Sequence, residues 1–390
     1  MKSSFATIVI LWATLAVPGG AAAQEATLGG SLDLAYSRGV LRDAGDPPSQ
    51  TNTFIKDGSP FSLARARFFI DAELGEDLAV FTTTLFDQGM GHFDLEGAYL
   101  VWSGGHANWL VGKQAAAFGT FAARSFATAN PLIGTPLVYH YFTAVQGDRA
   151  PSDAAQQLAW RERLEGPSVY GKRGQPIVYD SCWNTGVQVF GGGGSLSYAV
   201  AVISGALSNP EAAGNDGFQA LGRLGWEPSI GLRLGVSGAY GPYLEPAAEN
   251  GAAFPRGKGV EDYNQAIAGV DFEYSFDAFE FFAEALYNRW EVPNIDEDLS
   301  LAGGYVEGRY TLRPGLYGAL RYGRIDFGTL EDGTGRRADW DYDIQRLEAG
   351  AGYYLGPQVR AKAVMQFNWR VGPPGAKSDH LVGLQLASTF

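Results

Sequence analysis

The feature that most constrains this chain is a two-residue alternation that recurs along almost its whole length. From Val359 to Arg370 the odd positions Val359, Ala361, Ala363, Met365, Phe367 and Trp369 are all apolar, while Arg360, Lys362, Gln366, Asn368 and Arg370 sit between them. Successive side chains of a β-strand point to opposite faces, so this segment has one greasy face and one charged face. A soluble core rejects the charged face, because a buried unpaired polar row costs several kcal/mol per group. A wall with hydrocarbon on one side and water on the other requires both.

Sixteen segments follow this rule: Leu28–Ser37, Leu63–Leu74, Leu78–Phe86, Phe93–Trp102, Trp109–Gln114, Asn184–Phe190, Leu196–Ile203, Phe218–Trp226, Leu232–Tyr240, Gln265–Phe276, Phe279–Asn288, Ala302–Leu312, Leu316–Arg324, Ile344–Leu355, Val359–Arg370 and Asp379–Phe390. Most approach the roughly 9–11 residues that a tilted strand needs to cross a bilayer. Their connections alternate. Gly75–Asp77, Glu227–Ile230, Asp277–Ala278, Arg313–Gly315 and Gly356–Pro357 are short, whereas Val40–Ser62, Ala115–Trp183, Gly241–Asn264 and Ile325–Asp343 are long. Short turns on one rim and long loops on the other mark a transmembrane barrel, and a sandwich has no reason to alternate in this way. The pattern predicts an all-β fold: a transmembrane antiparallel β-barrel of about sixteen strands. Tyr99, Trp102, Trp109, Trp226, Tyr240, Tyr274, Tyr287, Trp290, Tyr310, Tyr322, Tyr353 and Trp369 lie near strand ends, where two interfacial girdles are expected.

Both ends of the chain fit export to a bacterial outer membrane. Lys2, the apolar run Ile8–Val17 and the small residues Ala21 and Ala23 read as a signal peptide over 1–23, leaving 24–390 as the barrel. No run of 18 or more apolar residues follows, so an inner-membrane helix bundle is excluded. The last strand closes on Phe390 with Val382, Leu384 and Leu386 on the same face, which resembles the assembly signal of outer-membrane barrels. The single Cys182 excludes an intrachain disulfide, and the net charge of −13 argues against nucleic acid as a partner. The acidity suits a surface among outer-membrane lipid and lipopolysaccharide, where divalent cations bridge carboxylates and phosphates.

Three segments resemble the phosphate-selective porin O and P family. Arg65-Ala66-Arg67 opens the second strand as that family's Arg-Ala-Arg element does. The run Trp109-Leu110-Val111-Gly112-Lys113 to Phe118-Gly119 is similar to its Gly-Gln-x-Lys-x-Pro-Phe-Gly segment. Arg346-Leu347-Glu348-Ala349-Gly350, running into Tyr353-Tyr354 and the basic strand from Val359, resembles its C-terminal region. Ala115 and Ala117 depart from the family's Lys and Pro, so phosphate selectivity does not carry over. The resemblance implies a sixteen-stranded barrel, commonly a homotrimer, with its third outer loop folded into the lumen.

A barrel this wide is not filled by its own wall side chains and encloses water, so the expected function is passive diffusion of small hydrophilic solutes, with anions favoured. Ala115–Trp183 is the one very long connection, and its apolar part holds Phe121, Arg124, Phe126, Tyr139 and Tyr141. Loops this long are usually functional, so the segment is expected to fold inward and constrict the pore. Packing on outer loops or on another subunit is the alternative. On the inward rows, Arg65, Arg67, Arg346, Arg360, Lys362 and Arg370 gather across the closing seam as a basic wall, while Asp271, Glu273, Glu280, Glu284 and Glu307 cluster on strands ten to twelve. Such facing charges would order polar solutes, or they could simply pair with one another. His92, His106, His140 and His380 show no metal-ligand spacing, no Ser lies in a nucleophile-elbow setting, and no cofactor is expected. A barrel enzyme would need a His beside a Ser or an acid. A non-conducting barrel that binds partners through its loops would need a loop that plugs the lumen.

Overall fold

The computed structural model describes residues 25–40, 63–87, 92–162, 174–179, 183–370 and 380–390. The expected signal peptide over 1–23 and Cys182 lie outside the described residues.

Sixteen antiparallel strands close into one barrel. They are β1 (Glu25–Val40), β2 (Leu63–Glu73), β3 (Leu78–Asp87), β4 (His92–Ser103), β5 (Asn108–Ala115), β6 (Trp183–Gly193), β7 (Leu196–Ile203) and β8 (Gln219–Ser229). The second half is β9 (Leu232–Pro242), β10 (Asn264–Phe276), β11 (Phe279–Trp290), β12 (Leu299–Arg313), β13 (Leu316–Phe327), β14 (Ile344–Gly356), β15 (Val359–Arg370) and β16 (His380–Thr389). Each sequence segment corresponds to one strand. The seam between β1 and β16 runs from Ser31 opposite Thr389 to Val40 opposite His380. Closure leaves no strand edge for lipid to meet.

Local chemistry explains the tight rim. Its two-residue turns need a left-handed backbone, supplied by Gly194 (φ 61°), Gly231 (φ 82°) and Gly315 (φ 82°), and by Asp277 (φ 51°) at the turn into β11. On the outer face the large apolar side chains are exposed, including Ile70, Val111, Val200, Val270, Leu320, Met365 and Leu384. Exposed aromatics form two bands. Trp102, Trp109, Trp226, Tyr274, Tyr310 and Tyr353 lie toward the short-turn rim, and Tyr240, Tyr287, Tyr322 and Trp369 toward the long-loop rim. This outer surface suits hydrocarbon flanked by two interfaces.

Two expected girdle residues are not in the girdles. A β-bulge opposite Thr83 and Thr84 inserts Glu96 into β4 and flips the strand's phase, so Leu95 and Leu100 both face out although five positions apart. Tyr99 therefore turns inward and stacks on Phe81 at 5.3 Å. Trp290 follows Leu286 and Asn288 on the inward row of β11 and is fully buried, edge-on to Trp340 at 5.9 Å.

The main apolar core lies inside the barrel mouth, where residues of the long segment after β5 meet the wall and the other long loops. Phe121, Leu137, Val138, Tyr141, Tyr243, Trp290 and Trp340 are among its buried members. In this segment Ala154–Trp160 forms a short α-helix, started by the Asp153 side chain accepting from Gln156 N at 2.8 Å.

Candidate functional site

The site grows from the inward rows of β10 to β16. Strict alternation and antiparallel register place Phe282, Glu307, Arg321, Glu348 and Gln366 side by side on one inward rung. Acid and base alternate along it. Arg321 Nε donates to Glu307 at 2.6 Å and its Nη1 to Glu348 at 3.1 Å, while Gln366 Nε2 donates to Glu348 at 2.6 Å. All four are buried, so the pairing offsets a desolvation cost that any lone member could not meet.

The rung also grips the long segment. Arg321 Nη2 donates to Asn130 Oδ1 at 2.8 Å and Nη1 to the Gly134 carbonyl at 3.3 Å. From the segment, Arg124 donates to Glu307 at 2.7 Å and to the Tyr305 hydroxyl at 2.9 Å, with its guanidinium 3.7 Å above the Phe282 ring. Phe121, fully buried, lies under both Arg124 (5.6 Å) and Arg321 (5.8 Å). One rung higher, Glu284 accepts from Thr120 N at 3.0 Å, Thr120 Oγ1 at 2.9 Å, the Tyr305 hydroxyl at 3.0 Å and the Tyr139 hydroxyl. Tyr141 donates to Asp341 at 3.2 Å, which also accepts from Ala144 N at 2.8 Å.

Room for the segment comes from glycine. An added Cβ on inward-facing Gly269, Gly303, Gly323, Gly350 and Gly383 would come within 2.9–3.3 Å of Phe118, Val138, Leu137, Leu132 and Ile133 respectively. The wall is thinned where the loop lies against it.

The basic residues divide into fasteners and available cations. Lys362 Nζ donates to three carbonyls of the segment, Ala127 (2.8 Å), Asn130 (3.1 Å) and Leu132 (2.9 Å). Arg346 is buried, donating to Asn368 at 2.7 Å and to the Thr135 carbonyl at 3.3 Å. Arg67 forms a two-pronged pair with Glu96 (2.7 and 2.9 Å) and lies 5.1 Å from the Phe126 ring, which meets Phe69 edge-on at 5.9 Å. Across the closing seam Arg360, Ala387, Asp33, Arg65 and Asp87 share one rung, with Arg65 3.6 Å from Asp33 and 3.9 Å from Asp87. The basic wall is thus interleaved with acids. Among the described residues, Arg360 and Arg370 have no carboxylate partner. Arg360 donates to the Tyr354 hydroxyl and stacks at 4.4 Å on that ring, and Arg370 lies 5.3 Å from the Tyr342 ring.

The acids are held in turn. Asp271 pairs with Arg223 at 2.6 and 3.0 Å, Glu273 lies 3.7 Å from Arg233, and Glu280 pairs with Arg309 at 2.6 Å. The alternative in which lumen charges pair with one another therefore describes most of these groups. Sequence reasoning overlooked Arg321, Glu348, Arg223 and Glu96. The first three were readable as inward positions facing opposite charges across strands; Glu96 was hidden by the bulge. Lys113, within the motif carried by the family resemblance, shares the outward row with Trp109 and Val111 and donates to the Leu95 carbonyl at 2.6 Å. Phe390 extends β16 by exchanging two backbone hydrogen bonds with Gly30 (2.9 and 3.0 Å), its ring lying over that glycine and 6.5 Å from Phe68. His140 meets Thr135 at 3.3 Å, and His380 packs on Phe367 and Trp369.

No protein-family model matches the chain, and no curated protein does. Solved structures do match. OmpT, an outer membrane protein of Vibrio cholerae, is 13% identical with a TM-score of 0.57, over 94% of this chain and 97% of that one. The anion-selective porin from Comamonas acidovorans is 12% identical with a TM-score of 0.56, over 94% and 99%. The outer membrane channel DcaP of Acinetobacter baumannii is 14% identical with a TM-score of 0.54, over 94% and 97%. The fold is that of bacterial outer-membrane porins. With this architecture and its apolar outer band, the chain is a barrel of the bacterial outer membrane. Kinship with the phosphate-selective family in particular finds no support in these matches.

Proposed function

We propose that the barrel is a passive diffusion channel for small hydrophilic solutes that favours anions, with the segment after β5 narrowing its lumen. The observation that carries the anion preference is the imbalance of pairing. Asp271 and Glu307 are tied to arginines and Glu284 to hydroxyls and an amide, whereas Arg360 and Arg370 have no carboxylate partner among the described residues. These two guanidiniums offer positive charge to the lumen although the whole chain carries −13. Unpaired cations in a wide pore raise the local anion concentration. The fasteners Lys362, Arg346, Arg67 and Arg124 set the lumen's shape, and the channel performs no catalysis. A homotrimer fits the outward row of β2–β5, where Thr82, Thr84 and Lys113 interrupt the apolar surface and a second copy would cover them.

The test is reversal potential in planar bilayers under a salt gradient, with native mass read in parallel. An anion-leaning potential that falls toward neutral in Arg360→Ala is expected, together with a trimeric mass. A cation-leaning wild type discards the anion preference. A folded barrel without conductance discards the channel and leaves a plugged barrel that binds through its loops.

A further inference from the structure

Toward the short-turn rim, the inward rows of β12 to β15 bring two arginines to one tyrosine. Register sets Tyr354 on β14 opposite Arg360 on β15, one inward step beyond Lys362. Arg309 reaches the same place from β12. Its Nη2 donates to the Tyr354 hydroxyl at 3.5 Å, and Arg360 Nη2 donates to that same oxygen. Tyr317 on β13 backs both cations, with the Arg309 guanidinium 4.6 Å and the Arg360 guanidinium 5.6 Å from its ring centre. That ring is buried and anchored, its hydroxyl donating to the Pro131 carbonyl at 3.0 Å. The cluster is therefore fixed to the wall and to the docked segment at once.

Three donors converge here without an acceptor. The Tyr354 oxygen accepts from both guanidiniums, and its own O–H has no acceptor among the described residues. Arg309 Nε and Arg360 Nε are also without a partner among them. The one carboxylate on the cluster, Glu280, accepts from Arg309 Nη1 at 2.6 Å and leaves Arg360 without one. Asp33 and Asp87, which share the Arg360 rung, face Arg65 at 3.6 and 3.9 Å. Two guanidiniums thus meet across one neutral hydroxyl, with a single carboxylate between them.

We infer that Arg309, Arg360 and Tyr354 form a seat for one oxyanion, the carboxylate or phosphate group of a solute that has passed the segment. Guanidinium forks match groups that offer two oxygens, whereas a halide offers a single point. An oxyanion at the meeting point accepts the Tyr354 O–H and sets negative charge between two cations that otherwise repel. The seat rests on the channel reading and adds to it a recognised head group.

The test is protection from phenylglyoxal, which modifies accessible guanidiniums, mapped by peptide mass spectrometry on the full-length protein in detergent at constant ionic strength. Inorganic phosphate, acetate and chloride are the probes. Arg233 on β9 is the internal control, because it too lies near the short-turn rim but has Glu227 and Glu273 beside it at 3.5 and 3.7 Å. Millimolar phosphate or acetate should protect Arg309 and Arg360 while equal chloride does not, and the oxyanion that acts at lower concentration identifies the head group. Tyr354→Phe keeps the ring and removes the hydroxyl, so the half-protecting concentration should rise about tenfold while heat-modifiable mobility stays that of the wild type. Equal protection by chloride, equal protection of Arg233, or unchanged protection in Tyr354→Phe would each overturn the seat. Chloride current is read on the same preparation. Protection without current removes the channel and keeps the seat, whereas current without protection keeps the channel and removes the seat.

Discussion

Replacing Arg321 with Met should release the long segment from the wall while leaving the barrel standing. The guanidinium makes four hydrogen bonds, two to wall carboxylates and two to Asn130 and Gly134 of the segment. Hydrogen bonds to a charged group contribute about 1.5–3 kcal/mol each, so the two to the segment amount to roughly 3–6 kcal/mol. Arg124 would still hold Glu307, and Gln366 would still hold Glu348, which keeps the loss near the lower end. Met preserves the packing over Phe121. About 3 kcal/mol corresponds to roughly two decades in the detachment equilibrium. Trypsin reads it directly, because Arg124 is nearly enclosed in the docked state, its side chain only 13% exposed. When opening and closing are fast, cleavage follows the open population, so cutting after Arg124 should accelerate about 100-fold. A rate within about threefold of wild type, with the barrel intact by heat-modifiability, would refute the view that this rung holds the segment.

Other perturbations address separate parts of the structure. Gly383→Leu puts a side chain where Ile133 Cδ1 already lies 3.3 Å from an ideal Cβ, so melting should fall by an amount matching about 1–3 kcal/mol of overpacking while β16 keeps its pairing; calorimetry checks this, and an unchanged melting point would contradict the close fit. Phe390→Ala removes the ring that lies over Gly30 and meets Phe68, and the folded, heat-modifiable fraction recovered from membranes should drop severalfold. In the outer loops, burial, with Asp148 and Glu211 nearby, holds the Glu245 carboxyl above its ordinary value of 4.5. A raised carboxyl favours the folded loop when protonated and disfavours it when charged. Loop stability should therefore rise as pH falls from the raised value toward 4.5, and be lost as pH rises through the raised value. Hydrogen exchange over 243–251 should show this in wild type and not in Glu245→Gln.

The barrel was legible because its physics is periodic. Lipid on one face and water on the other force alternation, and all sixteen strands could be read from it. What escaped reading was aperiodic. The bulge at Glu96 shifts the phase of β4 by one residue, which sends Tyr99 inside and supplies the partner of Arg67. No single-sequence period reveals such an insertion. Trp290 was misjudged for a simpler reason: its strand runs two residues beyond Asn288, so a residue that looked interfacial is the next inward position. The partners of the charges on these rows lie on neighbouring strands or in the long segment. Lys362 looks like a free pore cation in sequence, and only the folded chain brings three carbonyls to it.

The wall also records where the loop must lie. Glycines at inward positions of β10, β12, β13, β14 and β16 are poor strand residues, and nothing in a water-filled barrel calls for them. They make sense only as clearance for Phe118, Val138, Leu137, Leu132 and Ile133. On the same strands the rung from Glu307 to Gln366 supplies polar contacts that satisfy the backbone and side chains of the docked segment. Thinning the wall without fasteners would leave a loose loop, and fasteners without thinning would hold it away from the wall. Their coincidence on one arc, with Gly119 reaching only as far as Ser237 on β9 at 3.1 Å, makes the lumen asymmetric by design of the sequence. Solutes would then pass beside the segment, and substitutions on the wall that it leaves uncovered should change selectivity more than substitutions under the loop.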